Sequence, residues 1–348
     1  MMIAIVNAIG KSGGFRSDGN TPVNTVAPVI SGTATIGQTL TSTTGTWTSD
    51  TGVTGYLYQW YRGTTLITGA TNSTYILTIS DVSYDITCKV AATDTDGTSA
   101  YVSSNAIFLF DVDYTPILDR GTALGYTLPT LAQQKAQSVL LTNMKSIGVW
   151  NKLDVYYNFA NNGSQEFATL NWKSPSTRQI TAKNSISWNS SGFIGNGSTT
   201  YLDTNFQLSS GTNYTQNNAS RYVYMISSTG GSVFDGNETL ATNTFRSGTS
   251  TAQRINQGVL GISPAFIFNL QNEMKSIHRT SATNITLFNG TVSDTRTVAS
   301  ATITAANQFI LRSVSTYGTH RVSMYAVGSS LVSENTDFIN AYDTYLSS

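Results

Sequence analysis

Charge is scarce in this chain. Asp, Glu, Lys and Arg make up 11% of the 348 residues, against about 25% in ordinary soluble domains. The 19 basic and 19 acidic side chains cancel, so no cationic excess is available to neutralise phosphates, and nucleic-acid binding is excluded as an expectation. No run approaches the roughly 20 apolar residues of a membrane-spanning helix. Cys88 is the one cysteine, which excludes an intrachain disulfide and a cysteine-cluster zinc site. His278 and His320 are the only histidines, so imidazole chemistry is scarce as well. The first ten residues are apolar but lack a basic start, and Asn7 breaks the run, so they do not read as a signal peptide. Synthesis in a host cytoplasm is the expectation. What is abundant is Thr, Ser and Asn, with Thr roughly one residue in seven. Hydrophobic residues at 39% and aromatics at 11% suffice for packed cores, and the length suggests about two domains.

Four regions follow from the pattern. Residues 1–23 form an N-terminal arm whose Ile3, Ile5, Val6 and Ile9 precede a Gly/Ser/Asp stretch. These β-branched residues are the candidates for docking on a partner's sheet or groove. Residues 24–108 alternate short strand-like runs with Gly, Asn and Asp turns, the pattern of an all-β sandwich. Residues 109–150 hold a connector followed by one amphipathic helix. It opens near Pro129, carries Leu131, Ala132, Ala136, Val139, Leu140, Met144 and Ile147 at helical spacing, and ends at Gly148. Residues 151–348 return to strands, with runs at 153–159, 193–194, 201–206, 221–226, 266–270, 285–288, 298–303, 308–314 and 321–327. Asn289-Gly290 is a hairpin signal. Residues 334–346 carry Phe338, Ile339, Tyr342 and Tyr345 at the spacing of a short terminal helix. The fold class read from the sequence is therefore all-β: an arm, a sandwich, a connecting helix and a larger jelly-roll sandwich.

Two stretches resemble known families. Ala27-Pro28-Val29-Ile30-Ser31-Gly32 through Gly37-Gln38-Thr39-Leu40, then Gly45-Thr46-Trp47, Tyr58-Gln59-Trp60-Tyr61-Arg62 and Gly69-Ala70-Thr71, resemble the Ig-like modules of bacterial surface proteins and tailed-phage fibres. Trp60 fits the core tryptophan of the third strand, and Asp81 to Val90 fits the corner and sixth strand. Leu40 stands where a second cysteine would be, so Cys88 reads as a small buried hydrophobe. Ala168 to Pro175, Gly192 to Ser198, Tyr201 to Phe206 and Tyr214 to Ser220 resemble the concanavalin/laminin-G-like jelly rolls of tailed-phage virion proteins, crAss-like phages included. Met144 to Asp154 fits the same group. The resemblance implies a non-enzymatic structural role as a head or tail fibre or appendage, displayed on the virion surface. It would be attached through the N-terminal arm to other virion proteins, capsid or tail, and would assemble as a homotrimer. Alternatives are a capsid decoration protein, a bacterial surface adhesin, and a polysaccharide depolymerase or glycosidase.

No catalytic, cofactor or metal site is predicted. A glycosidase needs two carboxyls about 5–10 Å apart, and Asp154, Glu166, Asp203, Asp235, Glu238, Glu273 and Asp294 are scattered. Asp203 reads as a structural hydrogen-bonding residue in a strand, and Asp235-Gly236-Asn237-Glu238 as a turn. Asp94-Thr95-Asp96-Gly97 is more simply a hairpin turn than a calcium loop. Gly10-Lys11-Ser12-Gly13-Gly14 matches fragments of a P-loop and a nucleophile elbow, without the strand and helix either needs. For a host-surface glycan, flat rings and fixed donors are required, and Trp172, Trp188, Tyr201 and Tyr214 are the glycan-binding candidates.

Overall fold

The computed structural model describes residues 20–227, 233–237, 243–246, 253–257, 266, 268, 271–303 and 305–348. The docking candidates Ile3, Ile5, Val6 and Ile9, the Gly10–Gly14 motif and Glu238 lie outside the described residues. The protein is all-β, with helices as accessories, and divides into two compact units at Leu109/Phe110.

In the first unit, alternation fixes the faces. The strand Thr39–Ser42 buries Leu40 and Ser42 and exposes Thr39 and Thr41. Gly55–Arg62 and Asp85–Thr93 pair antiparallel over their length, in a register that sets Trp60 opposite Cys88. Ile107–Phe108, Val102–Ser103 and Thr65–Leu66 complete that sheet, and Ile30–Ser31, Thr39–Ser42 and Thr74–Ile76 form a second. Ile30, Leu40, Trp60, Leu77, Ile86, Cys88 and Val90 meet in the core. The Trp60 ring stacks on Tyr75, 5.6 Å between centroids, and its Nε1 donates to the Asn72 carbonyl at 2.8 Å. The indole is thus both packed and satisfied. Cys88 is fully buried, and burial pushes its thiol up. The corner before the sixth strand is pinned by Asp81, itself buried. It accepts from Arg62 Nε at 2.8 Å, Tyr75 OH at 2.9 Å and the Thr78 amide at 2.7 Å. Asp94 closes the last hairpin as an Asx turn, taking the amides of Asp96 and Gly97 on Oδ1 while Ser49 Oγ donates to Oδ2.

The second unit is a two-sheet sandwich with helices on the back of the larger sheet. That sheet orders Ser187–Asn189, Gly192–Ile194, Arg321–Gly328, Ala219–Ser227, Glu273–Arg279, Asn284–Asn289 and Val292–Thr297, with Leu153–Asn158 also pairing Arg321–Gly328. The smaller sheet orders Thr181–Lys183, Tyr201–Gln207, Asn307–Ile310, Val233–Asn237 and Phe245–Arg246. Period-two alternation splits Ala219–Ser227 between two cores. Val223 and Met225 face the other sheet with Phe193, Leu202, Ile277 and Ile310, whereas Tyr222 and Tyr224 face the helices with Met274, Met324 and Phe338.

Among the described residues there are four α-helices: α1 (Thr115–Ala123), α2 (Leu131–Ser146), α3 (Gln165–Ala168) and α4 (Asn335–Leu346). Thr130 caps α2, its hydroxyl accepting from Gln133 N, and Gly148 beyond the other end takes φ +77°, where a side chain would be strained. The buried face of α2 (Leu140, Leu141, Met144) joins Tyr342 and Tyr345 of α4 in the second core. Lys145 of α2 is held by both Asp111 and Asp113. Among the described residues, no helix is long and apolar enough to cross a membrane.

Three expectations are corrected. The connector before α2 contains α1, whose Pro116 lies in the first turn, where a missing N–H costs nothing. The strand expected at 298–303 is Val292–Thr297, because the two-residue Gly290-Thr291 turn sets the return strand in register with Asn284–Asn289. A further strand, Glu273–Arg279, lies between the expected runs at 266–270 and 285–288; its Lys275, His278 and Arg279 look like surface residues yet are fully buried. Asp235-Gly236-Asn237 is not a turn but part of a buried strand.

Candidate ligand-binding cleft

The helices leave a cleft of about 760 Å³ against one end of the larger sheet, a size suited to a small polar ligand. Its walls come from the start of α2, the 160–162 loop, the Ser190-Ser191 turn, the end of Ala219–Ser227, Asn272 and the last turn of α4. The rim is built by mutual hydrogen bonds. Asn162 N donates to Gln133 Oε1 at 2.5 Å, and Thr130 N donates to Asn162 Oδ1 at 2.9 Å. These tie the loop to the first turn of α2 and fix two amide side chains at the opening. Deeper, the Tyr345 hydroxyl donates to the Ala160 carbonyl and accepts from Gln133 Nε2 at 3.3 Å and Gln137 Nε2 at 3.2 Å. Burial pushes the Tyr345 phenol up to about 12. Opposite, Tyr224 OH lies 2.7 Å from Asp343 Oδ1 and 2.8 Å from the Asn272 carbonyl. Burial first, then Asp343, hold that phenol well above its usual range. Both phenols therefore stay protonated donors, and Asp343 is exposed to the cleft.

The cleft offers hydroxyls, amides and one carboxylate side chain, Asp343, against a floor of Ala136, Ala160 and Ile226. That is hydrogen-bonding equipment with an apolar base. General acid–base hydrolysis of a glycoside needs a second positioned carboxyl; among the described residues, Asp343 is the one Asp or Glu lining the cleft. Among the described residues, no group of three or more His, Cys, Asp or Glu side chains could hold a metal ion.

The four aromatic glycan candidates do not come together. Trp172 is 2% exposed and packs edge-on against Tyr114 and Tyr156. Tyr214 is 1% exposed, its hydroxyl donating to Asn256 Oδ1 at 2.9 Å. Neither can present a ring face to a sugar, which corrects the expectation for both: each ring fills a core. Trp188 is partly buried against Phe193 and donates to the Phe159 carbonyl at 3.1 Å. Tyr201 is partly exposed, but Arg312 lies over its ring at 4.5 Å. Neither lines the cleft, although Trp188 belongs to the hairpin whose tip does.

Three of the scattered acids are held within the fold. Asp203 Oδ1 accepts from Asn205 N at 3.0 Å and Asn307 Nδ2 at 3.2 Å, the role expected of it. Asp154 takes the amides of Thr212, Asn213 and Tyr214. Asp235, fully buried between the sheets, pairs with Arg221 and accepts from Tyr325 OH at 2.7 Å. Burial lifts its carboxyl above the usual range, with Arg221 acting against that. His278 is buried and hydrogen-bonded, Nε2 to Ser276 Oγ at 2.9 Å and Nδ1 accepting Leu331 N at 3.2 Å. Burial brings its imidazole down to about 3.

No protein-family model matches the sequence, and no curated protein does. Among solved structures, the chain is similar to domain 4 of AbnA, a GH43 extracellular arabinanase from Geobacillus stearothermophilus, in complex with arabinotriose. The TM-score is 0.33 at 12% identity, covering 54% of this chain and 98% of that one. It is also similar to Trypanosoma rangeli sialidase in complex with sialic acid, with TM-score 0.35 and 9% identity over 91% of this chain and 53% of that one. The same sialidase with 2,3-difluoro-KDN gives TM-score 0.30 and 8% identity over 93% and 62%. The chain thus spans between half and two thirds of the sialidase chains. Likeness at these scores carries no argument about activity.

Proposed function

We propose that the chain is a non-enzymatic structural protein of a tailed-phage particle, a head or tail fibre or appendage. In this reading its Ig-like and sandwich modules are displayed on the virion surface, and its second unit binds a neutral host-surface glycan in the cleft between α2 and α4. The virion assignment rests on the sequence resemblance, and so do attachment through residues 1–23 and a homotrimeric state. The glycan assignment rests on one observation: fixed amides and protonated phenols surround an apolar floor, with Asp343 the single carboxylate side chain among the described lining residues. Sugars need many directed hydrogen bonds and little charge, and the cleft supplies both conditions.

Titration of the purified chain against neutral oligosaccharides tests the binding half. Gln133→Ala and Asp343→Asn should each weaken a detected ligand by about tenfold or more, which is about 1.4 kcal/mol. Binding left intact by both changes would remove the cleft from consideration. Imaging of particles made with and without residues 1–23 tests the location.

A further inference from the structure

The hairpin of Glu273–Arg279 with Asn284–Asn289 carries three reactive groups that no role above uses. Lys275 and Asn289 are partners across it, so their side chains leave the same face of the sheet. That face points inward, because the next pair along, Ile277 with Leu287, lies in the core between the sheets. Lys275 is 0% exposed and Asn289 6%. Glu273, two residues before Lys275, shares the face and holds Lys275 Nζ at 3.3 Å through Oε2. The Asn289 Oδ1 is buried without a hydrogen-bond partner. The Glu273 carboxylate also closes over the turn, since a Cβ at Gly290 would stand 2.6 Å from its Oε2. A buried primary amine, a buried primary amide and a partly exposed carboxyl therefore share one face at one end of the hairpin.

The energetics of this group are poor as it stands. A buried ammonium with one ion-pair partner has lost its hydration for a single contact, and the amide oxygen of its cross-strand partner Asn289 goes unserved, with no hydrogen bond from Lys275. Burial, opposed by Glu273, brings the Lys275 amine down to about 8, so the nucleophilic neutral form is within reach at ordinary pH.

We propose that Lys275 and Asn289 are joined by an intramolecular isopeptide bond formed with Glu273 as proton carrier. Lys275 first gives a proton to the Glu273 carboxylate. The neutral Nζ then attacks Asn289 Cγ, forming the Nζ–Cγ bond. Glu273 passes its proton to Nδ2 and accepts one from Nζ. The Cγ–Nδ2 bond breaks and ammonia leaves with the proton released by the amine. One amine and one amide become one secondary amide and one ammonia, with no oxidant, metal or nucleotide consumed. The product carries no charge into the core and locks the two strands beside Ala219–Ser227.

The test is the mass of the full chain under denaturing conditions. It should fall short of the sequence mass by one ammonia, and a tryptic digest should yield Lys275 and Asn289 in one branched peptide. Lys275→Arg should restore the full mass, and Glu273→Gln should leave most molecules unlinked. A wild-type chain at its full sequence mass overturns the proposal. So does a deficit that survives Lys275→Arg, which would mark a succinimide formed by Asn289 with the following Gly290 amide. The wild-type measurement decides even if a variant fails to fold.

Discussion

Arg221 and Asp235 form an ion pair that bridges the two sheets of the second unit, with neither side chain exposed. Arg221 also donates to the Arg254 carbonyl, and Asp235 accepts from Tyr325. Removing one partner strands the other charge in the core. Asp235→Ala is expected to destabilise the second unit by about 3–5 kcal/mol. Replacing both residues by apolar ones of similar volume should cost less. Denaturant melts of the single and double variants check this, and equal losses for both would contradict a stranded-charge cost.

His278 sets a pH dependence. Its folded value near 3 lies below the roughly 6.5 of an exposed histidine. Between those values the unfolded chain binds a proton that the folded chain refuses. Stability is therefore fully present above about pH 6.5 and is lost as pH falls toward 3. At pH 5 the loss from this residue is about 2 kcal/mol relative to pH 7. Folding free energies at the two pH values, for wild type and His278→Gln, should differ in slope by that amount.

Cys88 is buried opposite Trp60 with its thiol pushed up. It should resist alkylation in the folded chain and react at once after denaturation. Thiol titration at neutral pH, with and without guanidinium, is the check. Stoichiometric labelling of the native chain would place Cys88 outside the core described.

Trp172 and Gln133 separate packing from binding. Trp172→Ala should cost about 3–5 kcal/mol of stability and leave any glycan affinity unchanged in the folded fraction. Gln133→Ala should weaken the ligand and cost less stability than Trp172→Ala, about 1–2 kcal/mol for the lost bonds to Asn162 and Tyr345. Thermal melts paired with ligand titrations read both quantities on the same samples.

Much of the fold was legible because alternation is a local signal. Leu40, Trp60, Ile86 and Cys88 declared their faces through their neighbours, and Asn289-Gly290 announced its hairpin. The exceptions share a cause. Lys275, His278 and Arg279 carry charge or polarity that normally means solvent; partners from distant segments serve His278 and Arg279, whereas Lys275 has its neighbour Glu273 on the same strand. Asp235-Gly236-Asn237 has the composition of a turn, and its strand becomes visible only once Arg221 is placed across from it. The cleft was illegible for the same reason. Gln133, Asn162, Tyr224 and Asp343 are far apart in the chain, and no spacing rule joins them. Aromatic candidates chosen by residue type alone included Trp172 and Tyr214, whose rings the cores claim.

The pairing of Leu153–Asn158 and Ala219–Ser227 on either side of Arg321–Gly328 has a consequence for how the chain comes off the ribosome. Both flanking strands are made long before the one that joins them. Until it emerges, each waits with an edge of unpaired backbone N–H and C=O groups, which is the condition that slows folding and invites aggregation. The first unit completes its own sheets from residues no later than Leu109 and carries no such debt. Refolding should therefore be biphasic, with the early module fast and the later one slow and dependent on concentration.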